Sequence, residues 1–418
     1  MAVAARLLYL KLASDHLGFE QFATCAFDTS CYRGIGDHIL SPHDRGGYLL
    51  LRFGPGYGLI LAGIKFLFGP NLIWPMLFSI LMGGLAPVFV YLLAYELFKS
   101  RPVALLAGGF SAVSLTSVAL SCHILTDQPF FTLHAAALVA FVHGYLTGRL
   151  RWYVLAGLVA SYAVYLRPSG QIWVAVFVLL ALILPLPKDF RSRPHFIRRA
   201  GITGLIMLVM VLGWSVRNYA VHDLFVFGTH GVLTVRSRLA ASVAEKTRNE
   251  NKRVTDYSKA WEQEDGELSE NYVAAYGKAK DRIVNEFRDH PWVMVERYLH
   301  FTKENMIVGN YFPGWQVPQM RRFMDRLNHI MHWFNYVLMV LTLAGLLVMI
   351  RKRQKAAALI LGLTYVSFSI LLGLTFWQGS RIHYPAEMAW SVIIAYLAVI
   401  TFDLLKVNWV AWRTKKLA

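Results

Sequence analysis

Nine strongly apolar runs recur along this 418-residue chain, at about 72–97, 102–121, 129–147, 152–166, 170–186, 200–216, 331–350, 356–375 and 388–406. A helix rises about 1.5 Å per residue and a bilayer core is about 30 Å thick, so about 20 apolar residues cross it. Most of the runs have that reach; 152–166 and 170–186 are shorter and need shelter from neighbouring helices. With 56% hydrophobic residues and a mean hydropathy of +0.43, the chain carries more apolar surface than one water-soluble core encloses. The expected fold class is an all-α polytopic membrane bundle, because in lipid a helix satisfies its own backbone polar groups.

The formal charge of +17 raises nucleic acid as a partner, but the basic residues lie in short clusters between apolar runs. That is the pattern of cytoplasmic membrane loops, so no nucleic-acid partner is expected. Lys99 and Arg101, Arg149 and Arg151, the run Lys188 to Arg199, Arg351, Lys352, Arg353 and Lys355, and the tail residues Arg413, Lys415 and Lys416 all fall on one side when the runs alternate. The opposite side receives the loop 14–70, the connection 122–128, the Arg167-Pro168 turn, the segment 217–330 and the loop 376–387. Between Glu245 and Glu304 stand 13 acidic and 11 basic residues, too many charges for lipid.

Three parts are expected. Residues 1–216 form an N-terminal membrane module with its first outer loop at 14–70. Residues 217–330 form an amphipathic helical cap ending in a Pro/Gly/Trp-rich link (YFPGWQVP, 311–318), and 331–418 supply the last membrane helices. Residues 1–13 are too short to span a bilayer and read as the last turns of a first membrane helix otherwise missing from this chain. Three cysteines without CxxC spacing do not suggest zinc; Cys25 and Cys31 read as buried thiols, with a disulfide as the alternative. The absence of an Asn-x-Ser/Thr sequon points to a bacterial inner membrane.

Ionisable groups at membrane depth are costly and mark function by default. Asp127 in LTDQPFF is the only acidic residue between Glu96 and Asp189; it reads either as a helix cap or as a catalytic carboxylate. Asp28 in FDTSCYRGIGDHIL is the second candidate, though Asp15, Asp37 and Asp44 share its loop. Arg167 in LRPSG, Arg217 in WSVRNY and Arg381 in GSRIHYP, with His383 beside it, complete the same face. Guanidinium groups suit phosphate oxygens, and for each one alone a snorkelling interfacial arginine is the competing reading.

These residues resemble the motifs of the GT-C glycosyltransferases, in particular bacterial transferases similar to rhizobial lipopolysaccharide core-sugar transferases. More distantly they are similar to protein O-mannosyltransferases and aminoarabinose transferases. The resemblance rests on Asp28 with Tyr32, Gly54-Pro55-Gly56-Tyr57, Leu125-Thr126-Asp127, Arg167-Pro168, Trp214-Ser215-Val216-Arg217-Asn218-Tyr219, and Arg381 with Tyr384-Pro385. It runs over nearly the whole chain, and departs from the family where Gly54 and Gly58 replace prolines and where Asp127 replaces a frequent Glu.

The resemblance implies a membrane glycosyltransferase of the cell envelope, working on the periplasmic or exterior face in glycan biosynthesis. It would move a sugar from a polyprenyl-phosphate donor to a lipid, glycan or protein acceptor with inversion. It carries the general base onto Asp28 and gives Arg381 and Arg167 the leaving phosphate; Asp127 would assist Asp28 or lie near the acceptor. Tyr32, Tyr57, Arg217 and His383 are the further substrate-binding candidates. Trp315 and Trp377 read as interfacial belt residues or as pocket walls. No cofactor is required, and a divalent cation stays compatible, although the DxD clamp of nucleotide-sugar enzymes is absent. No GxGxxG or P-loop is present to bind a nucleotide. A transporter or lipid flippase would also place charges among many helices, but the lack of an internal repeat and the clustering at one face favour the enzyme. A truncated, non-catalytic paralogue is the third reading.

Overall fold

The computed structural model describes residues 2–24, 26, 28–42, 44–187, 190, 192–248, 252–264, 272–307, 318–374 and 380–417, and every regular element among them is helical. The cysteine pair, the greater part of the YFPGWQVP link, Trp315 and Trp377 fall wholly or partly outside the described residues.

The chain opens with α1 (Ala2–Leu17). The loop expected over 14–70 is a stack of short helices: α2 (Phe19–Thr24), α3 (Thr29–Leu40), α4 (Asp44–Phe53) and α5 (Gly56–Phe68). In α3 the buried positions Tyr32, Ile35 and Gly36 follow helical spacing while Arg33 is exposed, so one face packs and the other is wetted. The glycines of GPGYG have a steric task. Gly54 has φ +83°, and a Cβ at Gly56 would lie 2.5 Å from the Tyr165 carbonyl carbon. Only glycine at these places lets the start of α5 touch the backbone of the helix that carries Tyr165, where Tyr162 donates to the Gly56 carbonyl at 3.1 Å.

The bundle continues with α6 (Ile73–Phe98), α7 (Arg101–Val113), α8 (Leu115–Ser121), α9 (Asp127–Thr147), α10 (Leu150–Leu166), α11 (Ile172–Ile183) and α12 (Arg193–His222). Five shorter helices follow: α13 (His230–Val235), α14 (Ala241–Thr247), α15 (Val254–Glu264), α16 (Tyr272–Asp289) and α17 (Pro291–Ile307). Then come α18 (Pro318–Arg351), α19 (Lys355–Leu372), α20 (Ser380–His383) and α21 (Glu387–Leu417). Among the described residues six single helices are long and apolar enough to cross a bilayer: Ile73–Phe98, Asp127–Thr147, Arg193–His222, His329–Arg351, Lys355–Leu372 and Tyr384–Trp409. The chain is a multi-pass membrane protein.

The apolar run at 102–121 is not one straight helix: α7 and α8 meet at a 53° bend. Ser114 makes the break. Its hydroxyl accepts from the Ser117 N–H at 3.2 Å, capping α8, and donates to Glu387 Oε2 at 2.8 Å. Among the spans α9 is the most enclosed, with 67% of its apolar window buried, against 17% for the span in α18. It packs between α6 and α10, so whatever stands at its ends is held by a rigid neighbourhood. The helices from α13 to α17 form a charged layer with small cores of their own. Tyr257 and Trp261 pack on Ala240, Ala241 and Ala244, and Leu239 and Val243 on Met294 and Phe301. This layer is tied to the bundle where Tyr298 donates to the Ile370 carbonyl at 2.6 Å and Asn305 to the Leu372 carbonyl at 2.9 Å.

Candidate active site

At one end of the bundle the start of α3, the first turn of α9, the end of α10 and the short helix α20 converge. Asp28 directly precedes α3, Asp127 opens α9, Arg167 follows the last residue of α10, and Arg381 lies in α20. Arg381 donates from Nη2 to Asp28 Oδ2 at 2.6 Å, and from Nε to Asp127 Oδ1 and Oδ2 at 3.3 and 3.2 Å. Arg167 donates to Asp127 Oδ1. Residues separated by up to 353 positions thus form one alternating chain, Asp28–Arg381–Asp127–Arg167.

The two carboxylates differ in access. Asp127 is fully buried and engaged by two guanidinium groups, whereas 19% of the Asp28 side chain stays open. Asp127 does not act as a cap. Thr126 holds that position without capping, and its hydroxyl meets the Tyr32 hydroxyl at 3.2 Å. The Thr29 hydroxyl donates to the Ile124 carbonyl at 3.3 Å, pinning the start of α3 beside the start of α9. Burial disfavours charge on Arg381, but Asp127 and Asp28 outweigh it and raise its pKa above the ordinary value. Burial, with Asp28 adding to it, raises the pKa of the Tyr32 phenol, so Tyr32 is a neutral hydroxyl.

Other sequence candidates stand further off. Tyr57 packs edge-on against Tyr32 with ring centroids 5.3 Å apart and meets the Ser79 hydroxyl at 3.4 Å, one layer behind the carboxylates. Arg217 is outside the cluster: it donates to Asn218 Oδ1 at 3.0 Å and lies over the Trp214 ring. In that motif it is Asn218 that shapes the backbone, donating to the Val226 and Phe227 carbonyls at 2.8 and 3.1 Å. His383 packs edge-on to Tyr365 and does not touch the carboxylates.

Sequence reasoning missed several residues. Arg52, at the end of α4, donates to the Tyr48 hydroxyl at 3.1 Å and approaches His230 Nδ1 at 3.5 Å; it is a cation whose described partners are neutral. His230 in turn interacts electrostatically with Asp28, Arg167 and Arg381, which places this pair at the rim of the cluster. Behind Asp127, Gln128 Oε1 accepts from the Tyr384 hydroxyl at 2.6 Å, and that hydroxyl also meets Ser117 Oγ at 2.9 Å. Arg6, fully buried, donates to Ser117 Oγ at 2.6 Å. A lone arginine in the apolar stretch MAVAARLLYLKLA was the available signal for it. Among the described residues no group of three or more His, Cys, Asp or Glu side chains is arranged to hold a metal.

The family described as dolichyl-phosphate-mannose-protein mannosyltransferase matches residues 53–214. That stretch holds Asp127 and Arg167 but not Asp28 or Arg381. The structure is similar to that of the archaeal oligosaccharyltransferase AglB from Archaeoglobus fulgidus, in complex with an inhibitory peptide and a dolichol-phosphate. The TM-score is 0.53 and the identity 14%, over 92% of this chain and 47% of that one. The chain carries the GT-C fold. The A. fulgidus oligosaccharyltransferase tethered to an acceptor peptide containing the NVT sequon is a second structure sharing it, with TM-score 0.51 and 15% identity over 91% of this chain and 46% of that one. The chain thus spans about half the length of these two. No curated protein sequence matches it.

Three histidines close to the Asp28–Arg381–Asp127–Arg167 chain are buried as neutral rings. Burial lowers the pKa of His123 to about 3 and of His383 to about 4; burial and then Arg52 lower that of His230 to about 4. In the unfolded chain a histidine takes its proton near about pH 6.5. Below that pH the unfolded state binds more protons than the folded state, so stability is full above it and falls as the pH drops towards 4. The melting temperature of the detergent-solubilised protein is expected to decline between about pH 7.5 and 5.5 as these rings take up protons in the unfolded chain. A flat profile over that window would show that these rings are not held neutral.

Proposed function

We propose that this protein is a membrane glycosyltransferase that moves a sugar from a polyprenyl-phosphate donor to a hydroxyl-bearing acceptor on the non-cytoplasmic face, with inversion at the anomeric carbon. The observation that carries the reading is the contrast within the charge chain: one open carboxylate, one sealed carboxylate, and two guanidinium groups between and beside them. The matched family, described by its dolichyl-phosphate-mannose substrate, and the dolichol-phosphate in complex with AglB support a lipid-phosphate donor. The segregation of basic clusters to the other side of the bundle supports the orientation.

In this scheme Asp28 accepts the proton of the attacking hydroxyl at Oδ2 as the new C–O bond forms at C1. The bond from C1 to the phosphate oxygen breaks, and the lipid phosphate leaves with the electron pair. Arg381 and Arg167 stabilise that developing charge. Asp127 holds both guanidinium groups in place. Arg381 is shared between Asp28 and Asp127 at rest, so a donor phosphate that draws Arg381 away also frees Asp28 Oδ2 for its proton. Nothing in the steps requires a cofactor.

Two aspartates and two arginines sum to zero charge, so a phosphate needs a further cation. Arg52 is suited to that part. Arg52→Gln is expected to raise the donor KM about tenfold, the value of one charge-assisted hydrogen bond, with a smaller change in kcat. Arg52→Lys should recover part of the loss. An unchanged KM would remove Arg52 from the donor site.

The reading is tested by incubating membranes containing the protein with a panel of polyprenyl-phosphate sugars, with and without chelator, and following lipid and glycan products by mass spectrometry. Transfer from at least one donor, insensitive to chelator, is the expected result. Failure with every donor at normal protein levels would sink the transferase reading.

A further inference from the structure

The bend between α7 and α8 opens a cavity of about 550 Å³ between that bend, α18, α19 and the start of α21. Its walls are mostly apolar, among them Phe110, Leu115, Met331, Phe334, Leu338 and Trp390. At one end two polar groups face it without a partner: Glu387 Oε1, on a side chain only 3% exposed, and His383 Nε2. The other Glu387 oxygen is held by Ser114. Leaving buried acceptors unmatched costs about 1–3 kcal/mol each, so their persistence at a cavity wall points to a ligand that matches them.

We infer that this cavity is a lipid site for an amphiphile whose head donates hydrogen bonds, a hydroxyl or a primary ammonium, and that it is separate from the site of the donor phosphate. The head would give its hydrogens to Glu387 Oε1 and His383 Nε2, and the chain would lie against α18. Access fits: α18 has the least buried span, 17% of its window, so the wall of the cavity faces the bilayer. The chemistry of the head fits too. A phosphate dianion, which offers no hydrogen-bond donor, and a bare isoprenoid chain would both cover Glu387 Oε1 and His383 Nε2 without satisfying them. The position next to Tyr384, whose hydroxyl reaches Gln128 beside Asp127, sets the head one layer from the reaction centre.

The test is photolabelling in nanodiscs of phosphatidylcholine, whose headgroup has no hydrogen-bond donor. The probes are one diazirine-bearing C16 chain ending as an alcohol, a primary amine or a phosphate monoester. Alcohol and amine are expected to label α18 around Met331 to Leu338, and the phosphate roughly tenfold less. Leu338→Trp, which fills the cavity, should suppress the labelling, and Glu387→Gln should erase the discrimination against phosphate. Equal labelling by the phosphate, or labelling indifferent to Leu338→Trp, would overturn the site; if the Glu387 variant does not fold, the probe series and Leu338→Trp still decide. No turnover is needed, so this outcome is independent of the transferase reading. Adding donor then distinguishes two sources of the same chemistry: a labelled alcohol that gains a sugar is an acceptor, and one recovered unchanged is a resident lipid.

Discussion

Asp28→Asn is expected to reduce turnover about 10³-fold, within the range for loss of a general base, with donor KM and protein level little changed. Asparagine keeps the size of the side chain and leaves one oxygen to accept from Arg381, so the geometry at the start of α3 should survive. What it loses is the ability to take a proton. The reason for choosing Asp28 over Asp127 is access: the Asp28 side chain is 19% open and has one guanidinium partner, while Asp127 is sealed and has two. A base that an acceptor hydroxyl cannot reach does no catalysis. Steady-state rates with a saturating donor decide the matter. A drop smaller than about tenfold would move the base elsewhere, since even modest general-base catalysis exceeds that.

The bundle was largely legible because lipid imposes a simple rule: eight of the nine apolar runs fall on a single α-helix each, and the run at 102–121 falls on the bent pair α7 and α8. The segment 14–70 was read as a loop because its helices are short and its polar residues frequent. Pairing of one face against a neighbour, as with Tyr32, Ile35 and Gly36, decided the matter instead. Four aspartates in that region were indistinguishable by spacing. In the structure Asp37 forms an exposed pair with Lys65 at 2.7 Å and Asp15 is exposed, while Asp28 turns inward to Arg381. That selection depends on residue 381, far along the chain, and no local pattern carries it. The bend at Ser114 was equally hidden, because serine is tolerated inside a membrane helix and breaks it here only with Glu387 as partner. Arg217 was drawn into the candidate set by the charge in its motif. The structure gives the backbone-shaping part to its neighbour Asn218.

Arg381 is where folding and chemistry meet, and three substitutions separate the two. Arg381→Gln leaves Asp28 and Asp127 close together with only Arg167 to balance them; breaking a buried pair in this way costs about 3–5 kcal/mol, so poor accumulation and a lowered melting temperature are expected. Arg381→Lys keeps the charge but replaces a planar fork with a single ammonium, which cannot donate to both carboxylates as Nε and Nη2 do. That variant should fold, and its turnover should fall about 10²–10³-fold, the usual loss when one preorganised donor to a developing anion is removed. The double variant Arg381→Gln with Asp28→Asn removes one charge of each sign, so melting temperature should return towards that of the unaltered protein while transfer stays absent. Recovery of stability without activity would mark Arg381 as both a clamp on the carboxylates and a contact of the leaving phosphate. Arg381→Lys with unaltered kcat would instead confine the residue to a structural part, because a charge alone would then suffice.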